Sequence, residues 1–122
     1  MAQIETNCGY MFWINSKNNL HFKKSSPESP KLSPKYRAYL YVCIDSFGEG
    51  QECSASVYNV YTRPEFRRQK YMTRLFSYME SLLKEVPNLR VIELNSSDEG
   101  LKFYPTIGYI RHSYFGFIKI IK

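Results

Sequence analysis

The sequence predicts a single α+β domain, a central twisted mixed β-sheet flanked by helices. Three observations predict it. Runs rich in aromatic and β-branched residues at 9–14, 36–45, 54–62, 90–94 and 109–121 read as strands. Between two of them, Tyr71, Met72, Leu75, Phe76, Met79, Leu82, Leu83 and Val86 recur at offsets of 1, 3 and 4, one apolar stripe at helical period. That helix lies between strands, and a strand–helix–strand unit normally makes a right-handed parallel crossover.

Taken in order, residues 9–14 are short, apolar and aromatic, as a buried strand requires. Residues 15–19 (Asn-Ser-Lys-Asn-Asn) form a turn, and residues 20–22 its hairpin return. Three prolines in the polar stretch 25–34 forbid regular structure, so an exposed loop is expected there. Residues 36–45 carry no breaker, the glycines of 46–50 supply a hairpin turn, and 54–62 return as the next strand. Pro87 and Asn88 stop the helix. After the strand at 90–94, Ser97 is the natural N-cap of a short helix with Asp98 and Glu99 in its first turn, closed by Gly108. Residues 109–121 form one or two terminal strands. The domain therefore divides into residues 1–35, with strands and a proline-rich loop, a core at 36–109, and terminal strands at 110–122.

The chain has 122 residues and a net charge of +6 from 17 basic and 11 acidic side chains. With 43% hydrophobic and 16% aromatic residues it has the composition of a globular protein that builds its own core. Cys8, Cys43 and Cys53 cannot close into pairs and show no Cys-x-x-Cys spacing, which argues against a disulfide scaffold or a cysteine zinc site and for a reducing, cytoplasmic setting. No apolar stretch has the length of a membrane span, and residues 1–6 lack the pattern of a signal peptide.

Chemistry concentrates between Val60 and Leu75. A strand ends at Asn59, Val60, Tyr61 and Thr62, a proline loop follows, and Arg67, Arg68, Gln69, Lys70, Tyr71, Met72 and Thr73 open the helix. A helix start presents unpaired N–H groups and partial positive charge, which suits phosphate. Arg67, Arg68, Lys70 and Arg74 add cations at the same end, against the helix dipole unless an anion sits there. A solvated basic turn explains these residues equally well. No recognised RNA- or DNA-binding motif accompanies them, so a nucleic-acid partner is not expected.

The block Asn59-Val60-Tyr61-Thr62-Arg63-Pro64-Glu65-Phe66-Arg67-Arg68-Gln69, with Leu75 beyond, resembles the acyl-coenzyme A loop of the GNAT superfamily of N-acetyltransferases. A second block over residues 93–109, where a strand leads into Ser-Asp-x-Gly and then Phe-Tyr-x-x-x-Gly-aromatic, resembles that superfamily's next motif. The resemblance spans about residues 59–109. It implies a GNAT-like fold and acetyl transfer from acetyl-CoA to a primary amine, of a small molecule or a protein, by direct attack and without a metal. Asn59, Val60 and Tyr61 would hold the pantetheine arm. Arg67, Arg68, Gln69, Lys70, Tyr71, Met72 and Thr73 would hold the pyrophosphate, with Ser97 as a further cofactor contact. Tyr104 matches the residue that protonates the departing thiolate, a role open to a phenol of ordinary pKa near 10; the alternative is a packing tyrosine, one of 11 in the chain.

The chain departs from the family pattern twice. Lys70 and Met72 stand where the loop usually has small residues, and no amphipathic helix precedes Ile44. The acceptor groove is therefore open, differently built, or completed by another subunit, as in a homodimer. The departures also motivate an alternative, a GNAT-like binding or regulatory module with impaired catalysis. Glu93, Asp98 and Glu99 have ordinary structural explanations, so no general base is assigned, and His21 and His112 are isolated.

Overall fold

The computed structural model describes residues 3–25, 35–46, 48 and 50–121. The proline-rich segment expected to be an exposed loop lies mostly outside them. Strands β1 (Cys8–Asn15) and β2 (Leu20–Lys24) form the first hairpin. Its turn closes because Asn15 Oδ1 accepts the N–H groups of Lys17 and Asn19 at 3.0 and 2.9 Å, while Asn18 takes the left-handed conformation at φ 67°. Strand β3 (Tyr36–Ser46) pairs antiparallel with both β1 and β4 (Cys53–Thr62). The chain then crosses through helix α1 (Tyr71–Leu83) to β5 (Leu89–Asn95), which lies parallel to β4. Helix α2 (Phe103–Thr106) and the hairpin β6 (Ile110–Arg111) and β7 (Gly116–Ile120) complete a seven-stranded sheet of order β2-β1-β3-β4-β5-β7-β6. The mixed sheet and the single parallel crossover are those the sequence predicts.

Strand alternation sends Tyr10, Phe12, Ile14, Leu40, Val42, Ala55, Val57 and Ile92 to the face that meets α1. On α1 the predicted stripe buries Tyr71, Leu75, Phe76, Met79 and Leu83, with Met72 and Leu82 half-buried. Periodicity does not reveal Glu80, buried on the same helix. Its carboxylate accepts Tyr109 Oη at 2.9 Å and Lys119 Nζ at 2.8 Å, and Lys119 also donates to the Ile107 carbonyl at 2.9 Å. This network bolts the middle of α1 to β7 and to the turn that carries Tyr104. Glu80→Ala strands an ammonium and a phenol, and we expect it to lower the unfolding free energy by about 2–3 kcal/mol. That is less than the 3–5 kcal/mol or so of a sealed pair, because the Lys119 side chain remains 27% exposed. Denaturant melts of the two proteins measure the difference.

Two expected boundaries move. The helix opens at Tyr71 rather than within the basic run, so residues 67–70 form a turn ahead of it. The helix expected from Ser97 is broken into a 3-10 turn (Asp98–Gly100) and the four residues of α2. Pro105 explains the break, since it has no N–H to bond back to residue 101 and is tolerated only near a helix start. Ser97 occupies the N-cap position of the 3-10 turn but makes no side-chain capping bond. Ser96 is the buried one of the pair, its hydroxyl donating to the Ser97 carbonyl at 2.7 Å.

Candidate active site

β4 carries an irregularity that decides the site. Its register with β3 shifts from Tyr41↔Tyr58 to Tyr39↔Tyr61, so Asn59 and Val60 together oppose Leu40, a bulge, with Asn59 left-handed at φ 56°. Its parallel pairing with β5 stops at Val57↔Leu94. Past that pair β4 runs on to Thr62 with β3 on one edge, while the chain leaving β5 turns aside, the Ser96 N–H bonding the Phe115 carbonyl at 2.7 Å. A wedge opens between the strands, edged by the backbone of Tyr58, Asn59, Val60 and Tyr61.

The wedge leads to the loop ahead of α1. Pro64–Phe66 form a 3-10 turn; Arg67 Nε donates to the Thr62 carbonyl at 3.0 Å with its guanidinium 5.8 Å from the Tyr61 ring, and Gln69 Nε2 donates to the Glu65 carbonyl at 3.0 Å. Arg68 and Lys70 are left-handed at φ 63° and 64°. The other non-glycine residues in that region, among those described, are all asparagines, which adopt it more readily. Lys70 is the N-cap of α1 and offers no side-chain capping bond, so the first-turn N–H groups of Tyr71, Met72 and Thr73 have no acceptor within the helix. The side chains of Arg68 and Lys70 have no partner among the described residues.

These residues enclose a cleft of about 310 Å³. Arg67, Arg68, Lys70, Tyr71, Met72 and Thr73 line it, with Thr62, Phe66, Phe103 and Thr106 completing the wall. Gln69 sits beside the cleft without lining it, and Asn59, Val60 and Tyr61 lie upstream on the wedge. Phe66, Phe103 and Thr106 were not singled out from the sequence, although all stand inside the blocks that carried the resemblance. Arg74 does not join the cations. Its guanidinium holds Asn18, through Oδ1 at 2.5 Å and the carbonyl at 3.3 Å, tying α1 to the β1–β2 turn. Ser97 is exposed and does not line the cleft.

Tyr104 lies behind Phe103, 5% exposed, its ring packed against Phe76, Phe103, Tyr109 and Phe117 at 5.2–6.0 Å. Burial pushes its pKa up to about 12. Its hydroxyl has no hydrogen-bond partner among the described residues and is not among their sealed polar atoms. Gly100 is required here, since a Cβ would stand 2.5 Å from Ser96 Oγ and 3.0 Å from Tyr104 Cε2.

The opposite face of the sheet carries no helix among the described residues. Met11, Tyr39 and Tyr41 cluster there with Trp13, Tyr36, Tyr58 and Tyr61. Tyr58 Oη lies 2.9 Å from Cys43 Sγ, and burial first, then that thiol, pushes the Tyr58 phenol up. Ser56 donates to Glu93 at 3.2 Å.

A profile of the acetyltransferase (GNAT) domain matches residues 36–116, about two-thirds of the chain. The chain belongs to the GNAT family. No curated protein matches it. Among solved structures it resembles Arabidopsis thaliana NAA60 in complex with acetyl-CoA, at a TM-score of 0.63 and 12% identity over 84% of this chain and 76% of that one. It also resembles Ard1 from Thermoplasma volcanium, at 0.56 and 16% identity over 74% and 66%. A mutant AtaT toxin bound to the C-terminus of the antitoxin AtaR gives 0.61 and 10% identity over 70% and 60%. At these identities the likeness is one of fold, and this GNAT chain spans 60–76% of the length of those structures.

Proposed function

We propose that this GNAT protein transfers the acetyl group of acetyl-CoA to a primary amine by direct attack on the thioester. The observation that carries the reading is the cleft at the start of α1, reached from the wedge between β4 and β5. A pyrophosphate fits its chemistry: two cations without partners among the described residues, Arg68 and Lys70, stand beside the first-turn N–H groups of Tyr71, Met72 and Thr73, which have no acceptor within the helix. The bare edge of β4 at Asn59, Val60 and Tyr61 offers the extended pantetheine arm hydrogen bonds as an added strand does. A backbone N–H of that edge would stabilise the charge developing on the carbonyl oxygen while the neutral amine's nitrogen bonds to the carbonyl carbon and the carbon–sulfur bond breaks, the proton lost from nitrogen passing through solvent to the thiolate. Full protonation of a thiolate near pKa 8.5 by a phenol at about 12 is uphill, at about 1.4 kcal/mol per pKa unit. Tyr104 therefore serves the leaving sulfur as a hydrogen-bond donor.

Acetyl-CoA at about 100 times its dissociation constant should stabilise the protein by about 2.7 kcal/mol in a thermal melt. Release of free thiol with a panel of polyamines, peptides and aminoglycosides then identifies the acceptor. No shift at millimolar ligand would sink the reading. Stabilisation without thiol release on any amine would favour a binding module instead, which the Met72 side chain in the cleft wall supports. Lys70→Gly separates two further readings of the loop. Glycine relieves the left-handed conformation, so the fold should gain about 0.5 kcal/mol. Acetyl-CoA affinity should fall about fivefold, as suits a lost phosphate contact. Tighter binding in calorimetry would mean that the lysine crowds the pyrophosphate.

A further inference from the structure

We propose that Arg37 is a positioning residue for the cofactor cleft, a role that rests on the acetyl-CoA reading above. The pairing of β1 with β3 passes from Ile14↔Ala38 to Asn15↔Tyr36, so Arg37 is the extra residue of a bulge, a device that re-aims a side chain. Its guanidinium donates from one terminal nitrogen to Tyr71 Oη and from the other to the Ser16 carbonyl, both at 2.7 Å. Its Cζ lies 4.6 Å from the centre of the Phe66 ring, and Phe66 meets Tyr71 edge-on at 5.4 Å. The Arg37 carbonyl accepts the Arg63 N–H at 2.9 Å.

One residue thus joins the β1–β2 turn, the start of β3, the 3-10 turn and the first residue of α1. Phe66 and Tyr71, the two rings it holds, both line the cleft. Two features set Arg37 apart from an ordinary surface cation. It forms no ion pair with a carboxylate among the described residues. Its Nε is sealed from solvent without an acceptor among the described residues, an arrangement a fold normally avoids. The planar fork is what the geometry uses, because two donors at fixed separation and a flat face for stacking cannot all come from lysine. Through Ser16 the fork also links the cleft to the β1–β2 turn, which Arg74 grips independently through Asn18.

Acetyl-CoA binding by calorimetry to the wild type, Arg37→Lys, Arg37→Met, Tyr71→Phe and the double variant Arg37→Met with Tyr71→Phe tests this, with a thermal melt of each protein without ligand. Both Arg37 variants should bind about tenfold more weakly, lysine failing to rescue, and Tyr71→Phe about threefold more weakly. In the double variant the loss of the Tyr71 hydroxyl should add nothing further, a coupling that general loosening of the fold would not produce. Wild-type affinity in Arg37→Lys would overturn the proposal by showing that charge alone suffices. Should the Arg37 variants not fold, Tyr71→Phe decides alone, and unchanged affinity there overturns it. A wild type that binds no acetyl-CoA would instead overturn the functional reading itself.

Discussion

Tyr104→Phe should lower turnover with acetyl-CoA about a hundredfold while leaving acetyl-CoA affinity and the melting temperature nearly unchanged. The rate effect follows from the proposed role, loss of the hydroxyl that would donate to the departing sulfur, at the low end of what positioned acid–base groups contribute. The neutral effect on stability follows from the structure. The hydroxyl makes no hydrogen bond among the described residues, and the ring contacts with Phe76, Phe103, Tyr109 and Phe117 survive in phenylalanine. With its pKa pushed up to about 12, Tyr104 keeps its proton through the usual assay range, so any alkaline fall in rate below that belongs to another group. Steady-state kinetics and a melt on the same preparation decide the matter. Full activity in the variant would make Tyr104 a packing residue.

Cooperative unfolding between about pH 11 and 12 is the second large effect expected. Burial raises the phenol pKa of Tyr104 to about 12, and burial, then the Glu80 carboxylate, raises that of Tyr109. In the unfolded chain both ionise near 10. Their contribution is whole below pH 10 and is lost as the pH rises, since the unfolded state sheds protons that the folded state holds. Each phenol costs about 1.4 kcal/mol per pH unit, so the pair removes about 5 kcal/mol by pH 12, comparable with the whole stability of a small domain. Circular dichroism against pH, with phenolate absorbance alongside, should show both changes in one step. In Tyr104→Phe the stability should fall less steeply, the rest of the slope coming from Tyr109 and from the phenols of Tyr39, Tyr58 and Tyr78, which burial also raises. An unchanged slope would refute the assignment.

The strands and α1 were legible because their periods are written in residues a few positions apart, as in the Leu75, Phe76, Met79, Leu83 stripe. The two blocks that carry the family resemblance were legible as patterns of residue type. What escaped depends on partners distant in sequence. Asn59 reads as any polar residue in a strand, and only pairing with Leu40 makes it a bulge. Glu80 reads as the wet side of α1 until Tyr109 and Lys119 arrive from residues 29 and 39 positions away. Arg74 counted as one of the cleft's cations because sequence cannot show that the β1–β2 turn comes to meet it. Arg37 carried no signal at all, since its use depends on Ser16, Phe66 and Tyr71 converging.

The wedge also bears on how the chain assembles. Strands β1 to β4 are neighbours in one part of the sheet, and β5, β7 and β6 in the other. The two groups meet in one parallel ladder, Cys53↔Leu89 to Val57↔Leu94, whose partners are 89 − 53 = 36 and 94 − 57 = 37 residues apart. Every pair of this ladder is that far apart, whereas the β1–β3 ladder can start from Asn15↔Tyr36, 36 − 15 = 21 residues apart. The parallel ladder therefore costs more loop entropy before contacts repay it and should zip late in folding. The cleft then exists only once both groups have docked, and a molecule lying along the wedge acts as a staple across the slowest seam.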